Sequence, residues 1–200
     1  MPTTREQRKE RTRQALVAAA IVHFARDGLA EARTADIAAA AGVSHGTVFL
    51  HFPTRDDLLA AAIEQVGARV AGRLHELVEE GSGVRGVLAA HLEGLAELEP
   101  FYTRLVTQGT TLPGAARGAM VAIQSAISFH LAEAAERDVA RGVVRRIPLH
   151  LLFNTWVGLV HHYLANAALF SPRGSVLRRH GGELLDHYLS LIGAPEPRHE

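Results

Sequence analysis

A chain of 200 residues, 48% of them apolar, has material for one or two packed domains and is far too apolar to stay disordered. It contains no cysteine, which excludes a disulfide framework, a thiol nucleophile and any cysteine-ligated metal or cluster, and which suits a reducing cytoplasm. Lys plus Arg and Asp plus Glu number 21 each, so the whole chain offers no positive excess to nucleic acid. Residues 1 to 55, however, hold eight basic against five acidic side chains, and that local excess places an anion-binding face at the N-terminal end.

The first residues, Met1-Pro2-Thr3-Thr4-Arg5, lead into charge rather than into an apolar run. No stretch of 18 uninterrupted apolar residues follows, so neither secretion nor membrane spanning has support, and a cytoplasmic location is expected. Long Ala- and Leu-rich stretches of helical spacing, with almost no alternating Val/Ile/Thr pattern, predict an all-α protein. A first helix from about Thr12 to Asp27 places Leu16, Ala20 and Phe24 on one stripe and stops at Gly28. Thr34 is expected to cap a short second helix carrying Ile37, Ala38 and Ala41, broken by Gly42. Ser44 caps a third, which Pro53 ends near Phe52. Thr54 and Asp57 form a capping-box-like start for a long helix that runs to about Glu80. Further helices are predicted at about 84–98, 101–109, 114–141, 148–170 and 176–192, separated by proline- and glycine-containing breaks.

Three short helices in about 40 residues, the last two joined by Ala41-Gly42-Val43-Ser44, have the spacing and turn chemistry of a DNA-reading helix-turn-helix. Gly42 supplies the positive φ of the sharp turn, Ala38 lets the two helices cross closely, and Ile37, Val43 and Val48 give them a small shared core. His45, Gly46, Thr47, Phe49, Leu50 and His51 then face outward, where short or flat groups allow close approach to bases and phosphates. The longer string Thr34-Ala35-Asp36-Ile37-Ala38, Ala41 through Phe49, His51-Phe52 and Arg55 through Leu59 resembles the TetR family of bacterial transcriptional regulators.

That resemblance implies a DNA-binding domain over 1–55 and a helical domain over 56–200 that binds a ligand and dimerises. It implies DNA contacts from Thr34, Ser44, His45, Gly46, Thr47, Phe49, His51 and Arg55, the last two holding the phosphate backbone. Phe49 stands where the family often has Tyr, and His45 where Lys is common, which would make that contact pH-dependent. The arm before Thr12, with Arg5, Arg8, Lys9 and Arg11, either adds minor-groove or backbone contacts or is a solvated tail. The resemblance also implies a homodimer formed through the last two helices, a double-stranded DNA operator, and release by a small, mostly apolar effector. Candidate effector contacts are Phe101, Tyr102, Gln124, Ile127, His130, Phe153, Asn154 and Trp156, which mix apolar surface with a few polar groups.

Twelve histidines raise a competing reading, that of a metal-dependent protein. No two of them lie at i, i+3 or i+4, the adjacent His161-His162 point to different helix faces, and Glu183/His187 and His75/Glu79 read equally well as surface pairs. With no phosphate loop, nucleophile elbow or paired catalytic carboxylates either, neither a metal, a cofactor nor an enzymatic activity is expected.

Overall fold

The computed structural model describes residues 4–77 and 82–195, and among these the regular elements are helices, with one isolated bridge between Val144 and Gly193. The helices are α1 Thr4–Asp27, α2 Thr34–Ala40, α3 His45–His51, α4 Arg55–Leu77, α5 Val84–Glu97, α6 Glu99–Gln108, α7 Gly114–Ala140, α8 Leu149–Ala165, α9 Ala167–Phe170 and α10 Val176–Ile192. A 3₁₀ turn, Gly109–Thr111, follows α6. The stretch expected to carry the long helix to Glu80, and Glu79 with it, lies outside the described residues.

Two compact units result, one of residues 1–68 with 100–122, the other of residues 69–99 with 123–200. The first holds α1 to α3, and its core is made by Leu16, Ala20 and Phe24 of α1, Ile37 and Ala38 of α2, and Val48 of α3. Phe52, Leu58, Leu59 and Ile63 complete it, with Phe101, Tyr102 and Leu105 of α6 also buried. Gly42 has φ +69°, the left-handed conformation that the turn between α2 and α3 demands.

In the second unit α10 packs on α5 and α8. Two buried carboxylates tie it together from a distance. Asp138 accepts the first amide of α5, Val84 N, at 2.8 Å, and Glu99 accepts Val176 N at 2.7 Å, Leu177 N at 3.0 Å and the Ser175 hydroxyl. Each carboxylate thus pairs amides that a helix start leaves without an intrahelical acceptor. Gly83 is required beside Asp138, since a Cβ there would run into its carboxylate oxygens.

Several boundaries differ from the expectation for local reasons. The first helix starts at Thr4 rather than near Thr12. Its first two turns have no apolar stripe, but after Thr4 they consist of straight-chain Arg, Lys, Glu and Gln, which lose little freedom in a helix, and Gln14 donates to Glu10 Oε1 at 2.9 Å. Thr34 is the first helical residue of α2, not its cap; that position is held by Arg33, which makes no side-chain cap bond. The sixth helix begins at Glu99 and accommodates Pro100 in its first turn, where no amide is needed. The predicted 148–170 helix divides at Asn166, whose side-chain amide donates to the His162 carbonyl at 2.9 Å.

The broad apolar faces of the last two long helices divide between core and surface. Leu152, Trp156, Val160 and Leu164 of α8 are buried within this one chain, as are Leu177, Leu184, Leu185, Tyr188 and Ile192 of α10. Phe153, Leu159, Tyr163 and Leu189 are half-buried, and Leu149 is exposed. Among the described residues no helix is long and apolar enough to cross a membrane, and no three His, Asp or Glu side chains are gathered to hold a metal ion.

Candidate DNA-binding surface

The third helix is short, capped and proud of its neighbours. Ser44 Oγ accepts the Thr47 amide at 3.3 Å and lies 2.8 Å from the Thr47 hydroxyl, so one serine both starts the helix and fixes the Thr47 side chain. Val48 is fully buried and anchors the inner face. On the outer face His45 and Gly46 are exposed, Thr47 is half-buried, and Phe49 and Leu50 are 44% and 81% exposed. A Cβ added at Gly46 would meet nothing within 4 Å, so the protein's own packing does not demand glycine there.

Thr34 and His45 meet across the turn, Oγ1 to Nε2 at 2.9 Å, and the His45 ring stands edge-on to Phe49 at 5.2 Å. The Thr34 hydroxyl therefore braces the start of α3 instead of capping its own helix. A reciprocal capping box starts α4: the Thr54 amide donates to Asp57 Oδ2 at 2.9 Å, and the Asp57 amide to Thr54 Oγ1 at 3.1 Å.

Arg55 departs from the phosphate-facing role expected of it. Its Nε donates to the Ala32 carbonyl at 3.2 Å, another nitrogen donates to the Leu29 carbonyl, and its guanidinium lies 5.3 Å from the Phe24 ring centre. A guanidinium committed to two main-chain oxygens behind α3 is a brace for the α1–α2 connection. Arg13, which no local pattern singles out, does the same for the other end of α3. It donates to the His51 carbonyl at 3.4 Å and lies over Phe52, 4.3 Å from the ring centre.

His51 sits where an open cleft of about 790 Å³ runs between the first half of α1 and the end of α3, with Lys9, Arg11, Arg13 and Leu50 also lining it. Its Nδ1 is buried and has no hydrogen-bond partner among the described residues. Burial, reinforced by the positive charges of Lys9 and Arg13 and opposed by Glu10, holds the imidazole pKa below its usual range. The basic arm is helical from Thr4, and Arg5, Arg8 and Lys9 line an adjoining cleft with Leu50 and His51.

The eight candidate effector contacts are divided between the two units. Phe101 and Tyr102 belong to the first unit; Gln124, Ile127, His130, Phe153, Asn154 and Trp156 belong to the second. Phe101, Tyr102, Ile127 and Trp156 are buried, Gln124, His130 and Phe153 half-buried, and Asn154 exposed. A cleft of about 500 Å³ in the second unit, lined by Glu136, Val139, Arg146, Ile147, Leu149 and Leu152 among others, includes none of the eight.

Residues 16–62 match the model of "Bacterial regulatory proteins, tetR family". The chain is 40% identical over 75 residues to the HTH-type transcriptional repressor Rv3405c of Mycobacterium tuberculosis, 38% of either chain. It is 37% identical over 89 residues to the HTH-type transcriptional regulator CymR of Pseudomonas putida, 42% of this chain and 44% of that one. These alignments span well under two thirds of the relatives' own length. Over nearly the whole chain the fold is that of the TetR family regulator PfmR from Thermus thermophilus, with TM-score 0.70 at 18% identity, covering 88% of this chain and 97% of that one. It is also that of the regulator FadR from Bacillus subtilis, solved in complex with stearoyl-CoA, with TM-score 0.74 at 18% identity, covering 90% and 98%. At that identity the likeness concerns the fold, an N-terminal helix-turn-helix followed by a helical C-terminal portion. Residues 16–62 are thus similar to the tetR family of bacterial regulatory proteins, a likeness that covers less than half of the chain.

Proposed function

We propose that the protein is a transcriptional repressor in the bacterial cytoplasm, which binds a palindromic operator as a homodimer and is released from it by a small, mostly apolar effector. The observation that carries this reading is α3 itself: a capped helix whose core-facing Val48 is buried while His45, Gly46 and Phe49 stand open, and whose end, at Leu50 and His51, borders a cleft lined by Lys9, Arg11 and Arg13 together with Glu6 and Glu10. Residues 1–55 would read DNA, with Ser44, His45, Gly46, Thr47, Phe49 and His51 facing it, and Thr34 and Arg55 bracing them from behind. The first turns of α1 would supply phosphate contacts through Arg5, Arg8 and Lys9.

Residues 56–200 would bind the effector and pair two copies through α8 and α10, which keep half-buried apolar groups such as Phe153 and Leu189 after folding. The repressor name of the mycobacterial relative supports the direction of regulation, and the acyl-CoA held by FadR supports an apolar effector. Helix α4 supplies residues to both units and is the natural carrier of the coupling, for which about 1–3 kcal/mol is typical.

Selection from a random duplex library tests the reading. The expected result is an inverted repeat whose half-sites are centred about 34–36 Å apart, or a multiple of that, bound by two copies of the chain. Absence of any enriched sequence, or tight binding of a single half-site by a monomer, would overturn it.

A further inference from the structure

The connection between α1 and α2, residues 28–33, is short, and it fixes the direction in which the α2–α3 pair leaves α1. Leu29 and Ala32 within it are buried, so their main-chain groups need partners. Those partners come from far along the chain. The Leu29 amide donates to Gln108 Oε1 at 2.7 Å across a separation of 79 residues, while Arg55 takes the carbonyls of Leu29 and Ala32. The last turn of α1 is held alongside. Arg104 donates from Nε to the Ala25 carbonyl and from its terminal nitrogen to the Arg26 carbonyl, 3.1 Å each.

Arg104 and Gln108 are four residues apart on α6, one above the other on the same helix face. Together they bond the main chain at Ala25, Arg26 and Leu29, where α1 ends, and because both ride on one rigid helix these bonds form or break together. A shift of α6 by about an ångström or two would leave the Leu29 amide buried without an acceptor and the end of α1 uncapped. The loop must follow α6 or lose its pairing.

We propose that Arg104 and Gln108 are positioning residues for DNA recognition: through them α6 sets the orientation of the recognition helix, a second route of control beside α4. This rests on the reading of α3 as the DNA-reading helix. Neither side chain needs to touch DNA, and a Met at either position keeps the bulk while removing the hydrogen bonds.

The test compares the unaltered chain with Gln108→Met, Arg104→Met and the double variant, using the selected operator and a random duplex of equal length, well below each protein's melting temperature. The expected outcome is that specific affinity falls at least about fivefold in Gln108→Met and further in the double variant, while affinity for random DNA stays within about twofold. Gln108→Glu, which retains an acceptor for the Leu29 amide, should keep most of the specific affinity. Unchanged specific affinity in a folded Gln108→Met protein would overturn the proposal and leave the pair as mere stabilisers; so would equal losses on operator and random DNA. Failure of the unaltered chain to prefer any sequence would instead remove the reading of α3. Should the double variant not fold, Gln108→Met alone decides, since it changes neither charge nor length appreciably.

Discussion

The indole N–H of Trp156 donates to Nδ1 of His91 at 3.0 Å, joining α8 to α5 with both side chains buried. Because Nδ1 accepts, the imidazole proton sits on Nε2, which has no hydrogen-bond partner among the described residues. Burial, with His161 adding a smaller push, lowers the His91 pKa from 6.5 to about 3.

This pair predicts acid sensitivity. The unfolded chain binds a proton near pH 6.5 that the folded chain refuses until about pH 3, so the contribution of His91 is fully present above pH 6.5 and is lost as pH falls toward 3. Between those limits it should cost about 1.4 kcal/mol of unfolding free energy per pH unit. Urea unfolding of the wild type and of His91→Leu at pH 7, 5.5 and 4.5 checks it: the difference between the two proteins should shrink or reverse by that slope. Parallel curves would show that His91 titrates normally.

Glu99 is expected to matter more than an ordinary carboxylate. Glu99→Ala removes the acceptor of two buried amides and one hydroxyl at the start of α10, and should lower stability by about 3 kcal/mol. Glu99→Gln keeps one acceptor oxygen and should cost about half as much. Denaturant midpoints at constant m-value are the measurement.

Gly46 separates stability from recognition. With nothing within 4 Å of a Cβ there, Gly46→Ala should leave the fold intact or stabilise it by up to about 1 kcal/mol through helix propensity. Operator affinity should nevertheless fall about tenfold, a loss of about 1.4 kcal/mol, if the backbone of α3 approaches DNA closely. Titration of labelled operator together with thermal melting reads both.

The cations should divide by role. Lys9→Ala should reduce the slope of log affinity against log salt by about 0.9, since one phosphate contact is lost. Arg55→Ala, whose guanidinium is turned onto the Leu29 and Ala32 carbonyls, should leave the slope unchanged while lowering stability by about 2 kcal/mol. Binding isotherms at four salt concentrations, with melting curves beside them, decide between the roles.

What is legible in the sequence is local. Ser44 beside Thr47, Thr54 beside Asp57 and Gly42 at the turn act within a few residues, so pattern and propensity suffice to place them. Thr34 is not a cap because its hydroxyl answers to His45, eleven residues away across the turn. In sequence Arg55 reads as a phosphate contact and Arg104 and Gln108 as solvated helix residues, and only the folding of distant segments turns their donors and acceptors onto buried main chain. Glu99 and Asp138 escape a sequence reading for the same reason. The apolar faces of α8 and α10 are visible, but a periodic stripe does not say which members a single chain buries, and it buries Trp156 and Tyr188 while leaving Leu149 exposed. The effector candidates stand together by residue type, which carries no information on the division of α6 from α8 between the two units.

The exposure of Phe49 and Leu50 at the tip of α3 has a thermal consequence. Both present apolar surface to water in the free protein, and seating α3 against thymine methyls and sugar edges would strip that water away. Such dehydration carries a negative heat-capacity change, so the enthalpy of operator association should grow more exothermic with temperature while the free energy moves little. Replacing Leu50 by Ser would flatten that dependence, and calorimetry at 15, 25 and 35 °C would register the recognition helix through the water it sheds rather than through any bond it makes.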